Sequence, residues 1–265
     1  MRLLLAPLPC LPRPLLLCLL LAPLLCLPLA LALCLPALAS AAPVDDALAL
    51  FANYHQDLSQ LDRARDILEA ELQQNPRGVD ALLALSRVYF TIGDVRARTD
   101  DDKLAAYDRG RQLGKRAVEL APKNADAHFL YGANTGRWGQ TKGVIRSLFL
   151  LPTVKEELAT IFALDPNHAQ GHALAGNVYL ELPALAGGSV AKAEEHFRKA
   201  IAVEPRYTAL RIGLAKVLIR KKQYAEARRE LESVLNEREP GSVADWTVKD
   251  VPRARKLLDE IKGKG

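Results

Sequence analysis

The chain has 265 residues, of which 25% are charged, and a formal net charge of +5 at pH 7. Residues 43–265 carry 34 basic and 31 acidic side chains, because the first 42 residues contain two arginines and no acid. A balance this even lacks the basic patch by which proteins bind nucleic acid, so we expect no nucleic-acid partner.

Residues 1–41 have the sequence features of a secretory signal peptide. Two arginines and a long Leu-rich run lead to a stretch of small residues. A basic start, an apolar middle and small residues at the exit predict cleavage after Ala39 or Ala41. The chain is therefore expected to be exported, with a periplasmic location for the domain at 44–265.

Two alternatives to a cleaved signal peptide remain open. The apolar run is longer than usual, which allows an uncleaved membrane anchor, although Pro23 and Pro28 would strain a spanning helix. Lipid attachment would need a small residue before a cysteine, and Pro or Leu precedes each one. All cysteines lie in this leader, which excludes disulfide and thiol chemistry from the domain. They are Cys10, Cys18, Cys26 and Cys34.

Regularly placed prolines divide the rest of the chain into repeats. Each helix-ending proline is followed, nine and ten residues later, by a core residue and a small one, as in Leu85-Ser86 and Tyr131-Gly132. The small residue lets two helices approach closely, so the pattern predicts helical hairpins. The prolines are Pro76, Pro122, Pro166 and Pro205, with Pro240 in the equivalent place at the end.

Five hairpins follow in chain order, with insertions predicted at 95–106 and 141–152. The tail from Asp250 to Ile261 predicts a polar capping helix, which the end of a repeat array requires. The predicted helices are 46–55 with 60–74, 79–92 with 103–120, 126–138 with 153–163, 169–182 with 189–203, and a last pair that ends near residue 237.

Caps and turns are predicted at four helix starts. Asp100-Asp101-Asp102 is expected to cap a helix that begins at Lys103, and Thr153 after Pro152 to cap another. Gly187-Gly188 supplies a turn with positive φ, and Ser189 is a fitting N-cap. Asp250 before Pro252 marks the start of the tail helix.

A 34-residue period identifies the type of repeat. Ala193, Phe197 and Ala200 recur as Ala227, Leu231 and Val234. This spacing is typical of tetratricopeptide repeats. The prediction is an all-α tetratricopeptide repeat (TPR) solenoid of about five helical hairpins with a C-terminal capping helix, in which each repeat buries its apolar face against its neighbours.

Two stretches resemble a known family. Residues 127–136 and 182–197 are similar to the T component associated with TRAP transporters, a family of periplasmic TPR proteins. The resemblance implies a homotrimer that docks a periplasmic solute-binding protein and shelters a small ligand. Only packing positions match, so it transfers no site residue. Residues 154–166 are also similar to regulator of microtubule dynamics proteins, which share the interrupted repeats.

No pattern for a metal, a cofactor or catalysis emerges. A phosphate loop needs Gly-Lys-Ser/Thr, but Thr precedes Lys142 and Gly follows it. His168 and His172 are four residues apart, but a metal site needs further ligands at recognisable spacing. They are interpreted as a polar pair at a helix start, and the remaining histidines (His55, His128 and His196) as isolated. We expect no enzyme, metal or cofactor.

The inner surface of the solenoid is the predicted binding site. First helices of the hairpins line the concave side, where aromatic and charged side chains suit an amphipathic helix, a peptide or an apolar ligand. We expect an adaptor for a solute-binding protein of a TRAP-type system. The alternative is a carrier or chaperone for an apolar small ligand, with the two insertions as a lid. The candidate residues are Arg87, Phe90, Phe129, Arg137, Asn177, Glu181, Lys216 and Arg220.

Overall fold

A computed structural model describes residues 41–264, and this part of the chain forms five successive helical hairpins without a strand. The predicted all-α repeat architecture is therefore confirmed. The predicted signal peptide up to residue 40, its anchor alternative and the four cysteines lie outside the described residues. Within residues 41–264, no helix has both the length and the apolar character needed to cross a bilayer.

Ten helices build the five hairpins in the described part of the chain. In order they are α1 (Ala41–Ala52), α2 (Ser59–Gln74), α3 (Val79–Thr91), α4 (Asp100–Leu120), α5 (Ala125–Lys142), α6 (Val144–Leu164), α7 (Ala169–Glu181), α8 (Val190–Val203), α9 (Ala209–Arg220) and α10 (Tyr224–Leu235).

The repeated small and apolar residues form the core, as predicted. Phe197 and Leu231 are buried in one cluster that runs through the last two hairpins. Small residues bring helices together: a Cβ on Gly114 of α4 would lie 2.8 Å from the backbone N of Tyr131 in α5. Since real Cβ atoms do not approach so closely, this glycine is required for the contact between α4 and α5.

The turn between α7 and α8 has the predicted chemistry. Gly187 takes a φ of 92°, which disfavours any side chain. Ser189 then caps α8, because its hydroxyl accepts a hydrogen bond from the backbone N of Lys192 at 3.3 Å. Both predictions are confirmed here.

Residues 95–106, which the sequence predicted as an insertion, are largely helical. The non-helical part of this segment is therefore shorter than predicted. A π-helical turn covers Ile92–Arg96, and α4 already begins at Asp100. Thr99 is the N-cap and forms a capping box with Asp102, so a threonine outside the acidic run starts the helix. The three acids occupy the first turn of α4, where their charge complements the helix dipole.

The predicted insertion at 141–152 is also helical. Gly143, with a φ of 104°, separates α5 from α6, and α6 then continues through Pro152. Thr153 is therefore not an N-cap, which corrects the prediction. The run from Val144 continues as helix because it lies along α5, where Gly139 leaves space for the backbone of Ser147.

The C-terminal segment (residues 243–261) connects the two ends of the repeat array. It consists of α11 (Val243–Asp245), a π-helical turn at Trp246–Asp250 and α12 (Val251–Glu260). Its Ala254 and Ile261 pack on the last hairpin, which gives the predicted cap.

Asp250 is not the N-cap that the sequence predicted. It is only 1% exposed, and its Oδ2 accepts a hydrogen bond from Thr208 Oγ1 at 2.7 Å. The helical segment begins seven residues earlier, where Ser242 caps it by accepting from the backbone N of Asp245.

The same segment reaches the first hairpin. Ala244 packs in a buried cluster with Tyr54 and Leu61. The Tyr54 hydroxyl donates a 2.6 Å hydrogen bond to Asp245 Oδ1. The superhelix formed by residues 43–264 is thus closed on itself, and its concave face becomes the wall of a cavity.

Candidate functional site

A cavity of about 660 Å³, partly open to solvent, lies on the concave side of the closed superhelix. First helices of the second to fifth hairpins form one wall, and Lys249, Asp250 and Arg253 of the C-terminal segment form another. A volume between about 300 and 1,000 Å³ is usual for small-ligand pockets. The cavity is therefore the candidate site.

Six of the eight residues expected from the sequence line this cavity: Phe90, Phe129, Arg137, Asn177, Glu181 and Lys216. The structure brings them together from four separate helices. Arg87 points elsewhere, 3.4 Å from Gln170 Oε1 and 3.7 Å from Asp126 Oδ1. Arg220 lies at the exposed last turn of α9 and does not line the cavity.

Aromatic and aliphatic side chains cover much of the cavity wall. Phe90 lies against the guanidinium of Arg137, whose Cζ is 5.6 Å from the ring centroid. Phe129 stacks near His168, with ring centroids 5.8 Å apart. Leu148 and Leu174 add apolar surface. An occupant must therefore present an apolar part to these walls.

Asp94 organises the charged side of the cavity. It accepts hydrogen bonds from Tyr107 Oη at 2.8 Å and Arg137 Nη2 at 3.2 Å, and Arg253 Nη2 lies 3.7 Å away. Its side chain is only 5% exposed. Two guanidinium groups and a phenol satisfy this buried carboxylate, so Asp94 holds Arg137 and Arg253 at the cavity wall.

Lys216 carries a positive charge with no direct partner. No described residue forms an ion pair or hydrogen bond with it. Burial by the surrounding walls lowers the pKa of Lys216, and the positive charge of Arg253 lowers it further. The carboxylates of Glu181 and Asp94 attract Lys216 without forming an ion pair with it, so an anionic group in the cavity would supply a direct partner.

Asp250 has an unused acceptor on the same wall. Its Oδ1 is buried and has no hydrogen-bond partner among the described residues. Burial raises the pKa of Asp250. Burial also raises the pKa of Tyr207, which lines the cavity nearby. These groups add polar positions that a ligand would satisfy.

Sequence reasoning missed the wall supplied by the C-terminal segment. Asp250 and Arg253 were assigned to a polar capping helix, whose charged residues usually face solvent, and Lys249 was not assigned a role. The apolar pair Ala244 and Val248, one helical turn apart, is the signal for a second packed face. Its partner, the first hairpin, is about 190 residues away in the chain and cannot be identified from spacing.

Of the predicted insertions, only the second lines the cavity. Val144, Ser147 and Leu148 are at its border, whereas no residue of 95–106 lines it. Asp94 is the last lining residue before that segment. The prediction of a lid built from both insertions is therefore wrong. Residues 100–106 form the first turns of α4 and do not line the cavity.

His128 and His196 are not isolated, which corrects the sequence interpretation. His128 Nδ1 lies 2.5 Å from Glu157 Oε2, and His172 Nδ1 lies 2.8 Å from His196 Nδ1. His168 does not pair with His172 but caps α7 by accepting a hydrogen bond from the backbone N of Gly171. Among residues 43–264, no group of three His, Cys, Asp or Glu side chains is placed to hold a metal ion.

A solved structure shares the fold. The TPR protein TTC0263 of Thermus thermophilus is 21% identical, with a TM-score of 0.64 over 84% of this chain and 99% of its own. PilF of Pseudomonas aeruginosa is 17% identical, with a TM-score of 0.49 over 84% of this chain and 92% of its own. At these identities the likeness concerns the fold alone. No curated protein matches the chain.

Two family models together cover nearly the whole repeat region. A tetratricopeptide repeat model matches residues 184–244. The model for regulator of microtubule dynamics proteins 1-3 matches residues 44–186, which is more than half of the chain. The protein with this closed TPR superhelix and its internal cavity belongs to the family of regulator of microtubule dynamics proteins 1-3.

Proposed function

We propose that the protein is a non-enzymatic adaptor that holds a short segment of a partner protein in the cavity. TPR solenoids are in general protein-interaction folds. The observation that carries this proposal is the closure of the superhelix, which leaves about 660 Å³ on the concave side. A helix about 10–12 Å across would fill that volume within roughly one and a half turns. The bound element is therefore a chain end or a single loop.

The cavity wall defines the chemistry of that segment. Phe90 and Phe129 favour an apolar side chain. Lys216 favours a carboxylate, either of an acidic side chain or of a chain terminus, because it has no ion-pair partner of its own among the described residues. An apolar residue next to a carboxylate meets both requirements.

The proposed partner is a periplasmic solute-binding protein of a TRAP-type system. Support comes from the leader at 1–41 and from residues 127–136 and 182–197, which resemble the T component of such systems. The same resemblance suggests a homotrimer and export, with a membrane tether if the leader is not cleaved.

Binding to a purified solute-binding protein of a TRAP-type system tests the proposal. Lys216→Glu should weaken binding at least tenfold, because it replaces the free cation with a repelling charge. Arg220→Glu is the matched control: it lies one turn further along α9, outside the cavity, and should bind like the wild type. Equal affinity of all three proteins, or no binding by the wild type, would reject the partner.

A second candidate is a carrier for an apolar small molecule with an anionic head. The Lys216 side chain, which has no ion-pair partner among the described residues, favours it. Native mass spectrometry with decanoate as the probe should show one molecule bound. Lys216→Met should reduce binding by about tenfold or more, since a hydrogen bond to a charged group contributes about 1.5–3 kcal/mol. Decanol of similar length should bind more weakly than decanoate, and equal binding would contradict the anionic head.

A further inference from the structure

The first half of α6 exposes an unusual amount of apolar surface. Val144, Ile145 and Phe149 are 70%, 75% and 74% exposed, and Leu148 is 40% exposed. Their spacing of one and four residues places them on one face of the helix. We name these four residues the apolar ridge. Clustered exposed apolar side chains on a folded protein mark an interaction site.

The ridge lies in a stretch of the chain that has no acid. Between Asp126 and Glu156 the sequence contains four basic residues and no Asp or Glu. Arg137 is neutralised by Asp94, but Lys142, Arg146 and Lys155 are exposed and form no ion pair with a described residue. The apolar ridge is thus accompanied by three uncompensated positive charges.

Trp138 contacts two of the basic residues that lie near the ridge in the sequence. Lys142 Nζ is 5.8 Å and Arg146 Cζ 5.9 Å from the indole centroid, and Arg111 Cζ is 5.5 Å from it. These cation–π contacts gather cations around one half-buried ring. Apolar side chains next to Trp, Lys and Arg are the composition by which helices bind at a membrane interface.

We propose that the apolar ridge docks on an anionic lipid surface. The three ridge side chains that are 70–75% exposed project from the protein. A helical segment of a partner protein is more commonly bound in a groove than on a projecting surface. A bilayer accepts a projecting ridge without a complementary shape. The ridge inserts among the acyl chains, and Lys142, Arg146 and Lys155 contact the anionic headgroups.

The test uses residues 43–265, because the leader would itself bind lipid. All buried core residues described above lie between Val44 and Ile261, so this chain keeps the whole core. Circular dichroism and thermal unfolding check each protein first. Co-sedimentation then compares phosphatidylcholine vesicles with vesicles that also contain about 30% phosphatidylserine. The wild type should bind the anionic vesicles at least tenfold more tightly and release them as salt is raised.

Two double variants separate the apolar from the electrostatic part. Ile145→Ser with Phe149→Ser should reduce binding to anionic vesicles at least tenfold. Lys142→Glu with Arg146→Glu should reduce it about 25-fold or more, because each basic residue near an anionic surface contributes about a factor of five. The controls are Val203→Ser, an exposed apolar residue on α8, and Arg229→Glu on α10. Both should bind like the wild type.

Three results would overturn the proposal. The wild type could bind both kinds of vesicle equally, or neither kind. The ridge variant could bind as well as Val203→Ser. Sedimentation could show a wild-type oligomer that Ile145→Ser with Phe149→Ser converts to a monomer, without lipid binding, which would assign the ridge to a second copy of this chain. Val144 and Leu148 also border the cavity, but Ile145 and Phe149, which the ridge variant changes, do not line it, so these results do not depend on a partner there.

Discussion

Phe197 packs into space that two glycines leave open. A Cβ on Gly176 would lie 2.8 Å from the Phe197 ring, and one on Gly213 would overlap that ring. The sequence predicted Phe197, which occupies a repeat position, and Gly176, which is the small residue ten positions after Pro166. It did not single out Gly213, which precedes the expected core pair and whose role depends on the rotamer of a residue in another helix.

At the residue scale we predict that Gly213→Ala lowers the free energy of unfolding by about 1–3 kcal/mol, since overpacking forces Phe197 to move. Urea denaturation measures it. Gly136→Ala is the control: no atom lies within 4 Å of the added Cβ, and alanine in a helix should leave stability unchanged or raise it by up to about 1 kcal/mol. Equal effects of the two substitutions would mean that Phe197 does not pack against Gly213.

The third and fourth hairpins share a polar pair at equivalent positions. His128 and His172 each lie six residues after a helix-ending proline, and each donates from Nε2 to the carbonyl of that proline, at 2.9 and 3.0 Å. Their Nδ1 atoms face Glu157 and His196, which occupy equivalent places in the second helices. Because His172 Nε2 donates, neutral His172 accepts at Nδ1 and His196 donates.

At the element scale we predict that acid weakens the fourth hairpin. Burial lowers the pKa values of His172 and His196 below 6.5, and the charge of His172 further lowers the pKa of His196. The unfolded chain then binds more protons than the folded one, so stability is full above about pH 6.5 and falls as pH drops below it. The melting temperature should therefore decrease between about pH 7.5 and 5.5.

The variant His196→Phe checks this assignment, because it keeps an aromatic ring between Phe162 and Tyr179 but removes one titrating group. Its acid-induced loss of melting temperature should be smaller than that of the wild type. Burial raises the pKa of Glu157, which acts in the opposite direction, but it is present in both proteins and cancels. An identical decrease in the two proteins would contradict the assignment.

Pro152 distinguishes the observed α6 from the insertion that the sequence suggested. A proline inside a helix removes one hydrogen bond and clashes with the preceding turn. Pro152→Ala should therefore raise the free energy of unfolding by about 1–3 kcal/mol. Pro76→Ala is the control, because Pro76 lies between α2 and α3, outside any helix, and should change stability by less. A loss of stability in Pro152→Ala would indicate a loop at 141–152.

At the scale of the whole molecule, local signals predicted the repeats but not their closure. The 34-residue period, the small residues and Ser189 each report on neighbours close in sequence, so all five hairpins were predicted. The hydrogen bond between Tyr54 and Asp245 joins residues that are 191 positions apart in the chain. A contact at such a separation produces no repeated pattern in the sequence. For the same reason, six cavity residues on α3, α5, α7 and α9 were predicted, whereas those of the C-terminal segment were not.

Hydrogen exchange tests the closure, on which the cavity depends. In Ala244→Asp a carboxylate replaces a fully buried methyl group beside Tyr54 and Leu61. We predict at least tenfold faster exchange of the backbone amides of residues 51–61, because an unpaired buried charge separates the two surfaces. Val243→Asp, which adds the same charge at an exposed neighbour, should leave those amides unchanged. If Ala244→Asp accelerates exchange only within residues 243–261, the superhelix is open and there is no such cavity.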